Sequence, residues 1–493
     1  MISRTANIYP ESSELTIVED GNQLKLEFAA NGKGYELHTP EKIAVDTANI
    51  YKPIQYLGAK HRPLPIILSK TLEAIKPDTF VLDMFSGSSV VSQVFNLNGL
   101  NVISNDALHF NSAFAKTLLN IDRKETDLKV IPLVMEELKS YKLKDEFIKP
   151  FEEKIITEKK LLAERNTEKL LELYFGLPQV NKVLFLNGSN KHEQTNFILN
   201  NIGKSAINSY PLIANYYAGS YFSIQQALEL DRLRNGIEHF YSENEISKWQ
   251  RHFLLTCLLN VSSKIVYTAG KHFAQPIKQE NTLKTDVLHK RFYDDRLKNV
   301  WDEFLKSSDS LSLVAEKNDM SKTNISFSET MEEIILKSSS LPPTSVIYAD
   351  PPYTAQQYSR FYHIPEIIFS YKYPQLQIVD GKATSGLYPD DKFKSRFCSK
   401  RDAYFAFADL FKLAAELNSS LIISYSSSLS EETGNLRMIE LEQIIELGSK
   451  FLPVCSLEVL KFNFQYRQLN TAKKIIQAKD DKEFLIVFKQ PAK

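Results

Sequence analysis

Apolar and polar positions along this chain follow two different periods, and the places where the period changes divide it. Near the start, LTIVED (15–20) and LKLEFAA (24–30) alternate every second residue around the turn signals Asp20-Gly21-Asn22 and Asn31-Gly32, which predicts short strands. From 51 to 125 the pattern predicts a helix over Leu64–Ile75, the strand Phe80–Asp83, a small-residue turn and a helix over Val90–Asn98. A strand Val102–Ser104 follows and ends in Asn105-Asp106. Strands alternating with helices predict a mostly parallel, doubly wound sheet. Between 126 and 320, stretches such as EFIKPFEEKIITEKKLLAERNTEKLLELYFG read as charged amphipathic helices, a solvated insert with an apolar inner stripe. Alternation resumes with the strand Asn324–Phe327 and a helix through Leu336. After the loop SSSLPPTS come the strands Val346–Ala349 and Leu421–Tyr425. SLEVLKFNFQY and EFLIVFKQ predict an antiparallel hairpin closing the sheet edge. The chain therefore reads as an extension of unassigned role (1–50), a first half-core (51–125), a helical insert (126–320) and a second half-core (321–493).

Composition adds limits. A chain of 493 residues, 43% hydrophobic and 24% charged, can bury a large core in two or three domains. Lys+Arg and Asp+Glu balance at 60 each, so a nucleic-acid partner has to be held by a local basic patch. The three cysteines, Cys257, Cys398 and Cys455, are scattered, which points to a reducing compartment without disulfides or a zinc site. The opening residues MISRTANIYPESSELT lack the apolar core of a signal peptide, and no stretch reaches the roughly 18 apolar residues of a membrane helix. The expectation is a soluble cytoplasmic protein with no membrane partner.

Three stretches carry candidate chemistry. In YADPPYTAQQYSRFYH, Pro351-Pro352 ends the strand and stiffens the turn that follows, because proline fixes φ and lacks an N–H. Asp350 and Tyr353 are thereby held at a fixed separation, an acceptor and a flat ring suited to a flat molecule that donates hydrogen bonds. DMFSGSSVVSQVF (83–95) follows a buried strand and opens a helix, where small residues let a ligand approach free N–H groups. Gly87 is its only glycine, so it is not the dinucleotide fingerprint, and an ordinary tight turn is the competing reading. Asp106 stands about 20 residues on, where a carboxylate either receives ribose hydroxyls or caps a helix. In YLGAKHRPL, Gly58 permits a bend and Tyr56 and Lys60 offer a ring and an ammonium, or simply form a surface turn.

Taken in order, Y-L-G-A-K, D-M-F-S-G-S-S, N-D and D-P-P-Y resemble the Dam-related adenine-specific DNA methyltransferases. The resemblance covers roughly 51–125 and 320–430 plus the closing hairpin. Two departures are Ser88-Ser89, where the family's glycine motif carries a second glycine, and an insert longer than in compact members. The resemblance implies a Rossmann-like class I methyltransferase core, α/β and mostly parallel, with a C-terminal antiparallel hairpin and a helical insert serving target recognition. It implies S-adenosyl-L-methionine as cofactor and no metal. Tyr56, Lys60 and Asp83 would line the cofactor pocket, Phe85, Ser86 and Gly87 its floor, and Asp106 would hold the ribose. Asp350 would face both cofactor and target amine, within a catalytic set of Asp350, Pro351, Pro352 and Tyr353, with Tyr353 stacking on an extruded base. Methylation of a cytosine ring carbon would require a nucleophilic cysteine, usually after proline, and none of the three follows one. The rivals are the same chemistry on RNA or on the cytosine amino group, and a binding protein that has lost turnover.

Double-stranded DNA is the expected partner, with room for a companion restriction system. Its phosphates would meet Lys392, Lys394, Arg396, Lys400 and Arg401, interleaved with Phe393 and Phe397. Further candidates are Lys271, His272 and Lys278, then Arg232 and Arg234, and Arg360 beside the D-P-P-Y turn. His363 reads as a packed histidine.

Overall fold

The computed structural model describes residues 15–20, 23–28, 34–38, 49–58, 60–184, 193–318, 320–428, 437–462 and 481–491. Ten strands form its main sheet: β1 (Leu15–Asp20), β2 (Gln23–Phe28), β3 (Gly34–His38), β4 (Phe80–Asp83), β5 (Asn101–Asn105), β6 (Ile325–Phe327), β7 (Thr344–Ala349), β8 (Ser420–Ser428), β9 (Ser456–Phe462) and β10 (Asp481–Lys489). Their order is β1-β2-β3-β9-β10-β8-β7-β4-β5-β6. From β6 to β8 every pairing is parallel, while β10 runs antiparallel to both β8 and β9. The apolar runs of β4 and β7 are buried along their whole length, as strands covered on both faces must be.

Two layers of helices cover the central sheet. On one face Leu64, Ile67, Val90, Val94 and Phe95 pack against Val81, Val346, Ile422 and Leu485. On the other, helices Ala403–Glu416 and Leu441–Phe451 pack against Leu82, Ile347, Leu421 and Ile486. This is the mixed α/β, mostly parallel architecture that the alternation predicts. The order reverses at β4, with β5 and β6 on one side and β7 and β8 on the other. A crevice opens beyond the C-terminal ends of β4 and β7, where open α/β sheets place ligands.

The hairpin forms, but not as the edge. β10 lies between β8 and β9, and β3 pairs in parallel beside β9 through Val459–Leu37 and Leu460–His38. The N-terminal segment therefore continues the sheet, since an unpaired edge presents a row of free N–H and C=O groups. The turn signals Gly21-Asn22 and Asn31-Gly32, and the residues joining β9 to β10, lie outside the described residues.

Between β5 and β6 the described chain is helical, from Asp127–Ser140 to Val300–Lys317. Its axis is the helix Lys248–Ile265, which opens with a Ser247/Gln250 capping box and is buried on nearly every side. The apolar core of these helices runs on into Phe110, Phe114 and Leu118 before the insert and into Tyr362, Ile364 and Ile367 after D-P-P-Y. The insert is thus packed directly on elements that border the crevice.

Gly448, in helix Leu441–Phe451, lies against the buried ring of Phe488, and an added Cβ would come within 1.9 Å of its Cζ. Phe488 is itself wedged edge-on against Phe411 at 5.1 Å. Gly448→Ala is expected to cost about 1–3 kcal/mol, read as a lower urea midpoint at unchanged slope.

Candidate active site

The strand β4 ends in Asp83, which is paired in register with Tyr348 of β7, two residues before Asp350. Strand pairing therefore delivers the two acidic motifs to the same end of the sheet. After Asp83 the chain turns tightly. Ser86 donates its N–H to the Asn105 carbonyl (2.8 Å), and Ser89 donates its N–H to the Ser86 carbonyl (2.7 Å). Gly87 has φ +47°, and a Cβ there would meet the Tyr56 ring at 2.7 Å, so only glycine lets the ring cover this turn. Ser89 takes φ +58° as the N-cap of helix Val90–Leu97. Ser89 thus sits in the left-handed region usually left to glycine, a strain of about 1–2 kcal/mol.

Asp106, at the end of β5, accepts the Gly87 N–H (2.9 Å) and the Leu108 N–H (2.8 Å). It braces the glycine turn from the neighbouring strand. Tyr56 stacks flat on Tyr362 (4.5 Å between centroids, 2° between planes), and its hydroxyl accepts from Asn111 Nδ2 at 3.3 Å. Gly58 bends with φ +70° close to the Tyr358 hydroxyl. Lys60 turns inward: its ammonium meets Asp350 Oδ1 (3.0 Å) and Glu483 Oε1 (3.2 Å) and donates to the Gly58 carbonyl (3.2 Å). It also lies 5.9 Å from the centre of the Tyr353 ring.

These elements enclose a cavity of about 270 Å³. Tyr56, Lys60, Asp83, Phe85, Ser86, Gly87, Asp106 and Asp350, all singled out in the sequence, line it together. Pro352 lines it too, whereas Pro351 is buried behind it. Tyr353 stands beside it, half-buried, edge-on to Tyr425 at 5.8 Å and with the Arg437 guanidinium 5.0 Å from its ring centre. One wall is zipped shut by Gln357 and Ser395, which exchange Nε2–H to carbonyl (3.2 Å) and N–H to Oε1 (2.8 Å) hydrogen bonds.

Charge inside the cavity is mostly negative. Burial pushes the Asp83 carboxyl up to about 7, opposed by the hydroxyl of Ser92 and reinforced by Asp350 and Asp106. Burial also pushes Asp350 up to about 6, against the pull of Lys60. Asp106 is raised by burial despite its backbone donors. Asp83 Oδ1 and Glu329 Oε2 have no hydrogen-bond partner among the described residues. Carboxylate oxygens awaiting donors, an aromatic cover and a glycine turn suit a cationic ligand that carries hydroxyls and a flat ring. S-adenosylmethionine has each of these groups, so the residues present fit it.

Sequence reading missed Glu483, Glu329, Met331, Gln357 and Arg437. Of these Glu483 left a signal, an acid directly before the apolar run FLIVF. Several basic candidates are spent within the fold. Arg234 is buried and donates to the Ile368 and Phe369 carbonyls, and Arg232 donates to the Leu138 and Tyr141 carbonyls. Lys271 contacts Asp295 (2.6 Å) and the Lys264 and Val266 carbonyls, which leaves it no proton for a phosphate. These three side chains spend donors on acceptors inside the fold. Arg396 lines the cavity but bridges Glu332 and Asp409, each at 2.9 Å. Lys392 donates to Gln377, Arg360 reaches the Tyr388 hydroxyl, and Lys394 is exposed at the cavity rim. His363 is packed, with its Nδ1 against the Arg360 carbonyl at 3.1 Å.

The sheet and the cavity at its reversal point are those of a Rossmann-like methyltransferase core. Among curated proteins the chain is 27% identical over 272 residues to modification methylase LlaI of Lactococcus lactis subsp. lactis, covering 55% of this chain and 37% of that protein. It is 25% identical over 243 residues to modification methylase StsI of Streptococcus sanguinis (46% and 30%). It is 24% identical over 394 residues to the Type II methyltransferase M.FokI of Planomicrobium okeanokoites (80% and 47%). The chain spans less than half the length of these relatives. No family model matches it.

Because Asp83 holds its proton to about pH 7 when folded but has an ordinary value of 3.8, its contribution to stability is full below 3.8. That contribution is lost as pH rises through the window up to about 7. Asp83→Asn escapes this loss. Urea unfolding of the two proteins from pH 4 to 8 should show the variant gaining on the wild type up to about pH 7 and level thereafter.

Proposed function

We propose that this chain is an S-adenosylmethionine-dependent DNA methyltransferase that modifies the exocyclic amino group of adenine after the base is swung out of the duplex. The observation that carries this reading is the position of Asp350, at the rim of the cavity formed by the glycine turn and Asp106. The three modification methylases it resembles support DNA as the substrate.

The amino nitrogen of adenine is a poor nucleophile because its lone pair is delocalised into the ring. In this reading the Asp350 carboxylate and the Pro351 carbonyl accept its two N–H bonds and draw the nitrogen towards sp³. The two prolines keep these acceptors from reorganising, which is how preorganised polar groups lower a barrier. S-adenosylmethionine, when bound, supplies an electrophilic methyl group on a positively charged sulfur. Asp83, Asp106 and Asp350 give that charge a favourable field, and Tyr56 covers the glycine turn. As the N–C bond would form, the bond from the methyl carbon to sulfur would break, its electron pair leaving with a neutral thioether, and one N–H proton would leave the nitrogen with Asp350 as the adjacent acceptor. Tyr353, steadied by Lys60 and Arg437, offers the stacking surface for the base, an interaction of about 1–3 kcal/mol. The target atom is out of reach inside a stacked duplex, hence the swung-out base. Residues 126–320 serve as the target-recognition region, and Lys394, Lys392 and Arg360 as phosphate contacts. The setting is the cytoplasm, where DNA and cofactor meet.

Incubation with methyl-labelled cofactor and separate DNA and RNA is expected to label adenine in DNA. Label confined to RNA or to cytosine would reject the assignment. Asp350→Ala should lose about 100-fold or more in turnover while still binding the cofactor, as removal of one preorganised group does. Tyr353→Ala should lose less, in line with stacking alone. Since Asp350 must be ionised to accept both N–H and proton, the rate should fall as pH drops through about 6.

A further inference from the structure

We infer that Glu483, on β10, is a positioning residue that shares the Lys60 ammonium with Asp350 and so keeps one Asp350 oxygen uncommitted for the target amine. This rests on the function proposed above.

Lys60 is 4% exposed and Glu483 2%, so their contact is shielded from water. Among the described residues the ammonium meets Asp350 Oδ1, Glu483 Oε1 and the Gly58 carbonyl. The Lys60 contact falls on Asp350 Oδ1, and the Asp350 side chain remains 21% accessible, so its other oxygen can be approached. Lys60 and Asp350 alone would form a neutral buried pair. Glu483 adds a second carboxylate in a buried, otherwise apolar strand, which is unfavourable for folding by itself. Its effect is to divide the ammonium's attraction. With Glu483 ionised, the Lys60 hold on Asp350 is weakened, the cluster carries one net negative charge, and Asp350 is a stronger acceptor.

The arrangement is tertiary and deliberate in its register. Glu483 pairs opposite Ser426 of β8 and Phe462 of β9, which sets its side chain on the sheet face of Tyr348. Lys461 pairs opposite Phe484, so the pleat sends it to the other face. The other groups around Asp350 and Lys60 are the carboxyl of Asp83 and the phenols of Tyr348, Tyr353 and Tyr358, with Arg437 beyond the Tyr353 ring. None of them takes the place of Glu483 on the ammonium.

Glu483→Gln keeps shape and a weaker acceptor but removes the charge. Turnover with labelled cofactor and duplex DNA is expected to fall about tenfold, the loss of one charge-assisted contact, with the KM for cofactor changed less than twofold. The acid limb of the pH profile should move to lower pH, because the Glu483 charge that raises the Asp350 carboxyl is gone. In a Lys60→Met background the same substitution should add no further loss. Carbon-13 titration of the Asp350 carboxyl in the protein without ligands reads the coupling independently of turnover, and its midpoint should drop in Glu483→Gln. An unchanged midpoint overturns the inference, as does a shifted midpoint with unchanged turnover and pH profile. A wild-type protein that transfers no methyl group to DNA rejects the proposed function instead, and with it the catalytic role of Glu483.

Discussion

The site depends on one parallel pairing, β4 beside β7, with Asp83 in register with Tyr348. Each strand contributes only a few residues and one terminal acid. In register, they bring a glycine turn and a proline turn to the same end of the sheet, although a long helical excursion separates them along the chain. A slip of one residue would turn Asp83 and Tyr348 to opposite faces and break the cavity. The remaining features, from the Asp106 brace to the Gln357–Ser395 clasp, refine a crevice that this pairing opens.

Electrostatics then decides what the crevice suits. Asp350 and Glu483 meet the buried Lys60 ammonium, Asp83 and Asp106 line the same cavity, and burial raises Asp83, Asp106 and Asp350 above the ordinary carboxylate range. A cavity with more acids than bases holds protons tightly and favours a cation. It is also lined by Tyr56, Phe85 and Tyr358, so the cation it favours carries flat, apolar groups. This complementarity, more than any single residue, underlies the reading of the site as one for a sulfonium cofactor.

The insert shows why charge counts in a sequence mislead about surfaces. Its arginines and lysines suggested basic tracks, yet Arg234, Arg232 and Lys271 spend their donors on backbone carbonyls and buried acids. Helix ends and tight turns leave carbonyls without partners, and long cationic side chains satisfy them. The same packing joins the insert to Phe110 and Tyr362, so its helices share a core with residues beside the cavity.

The sequence by itself determined the alternation of strands and helices, the helical insert, and the motifs that meet at the cavity, because these follow from local periodicity and from proline and glycine geometry. Tertiary structure decided what no short stretch records. It placed β10 between β8 and β9 and continued the sheet with β3, since strand order is a matter of edges competing for partners. It also set Glu483 on Lys60 and Arg437 over Tyr353, residues distant in the chain whose chemistry emerges only when burial strips away water and forces charges to find one another.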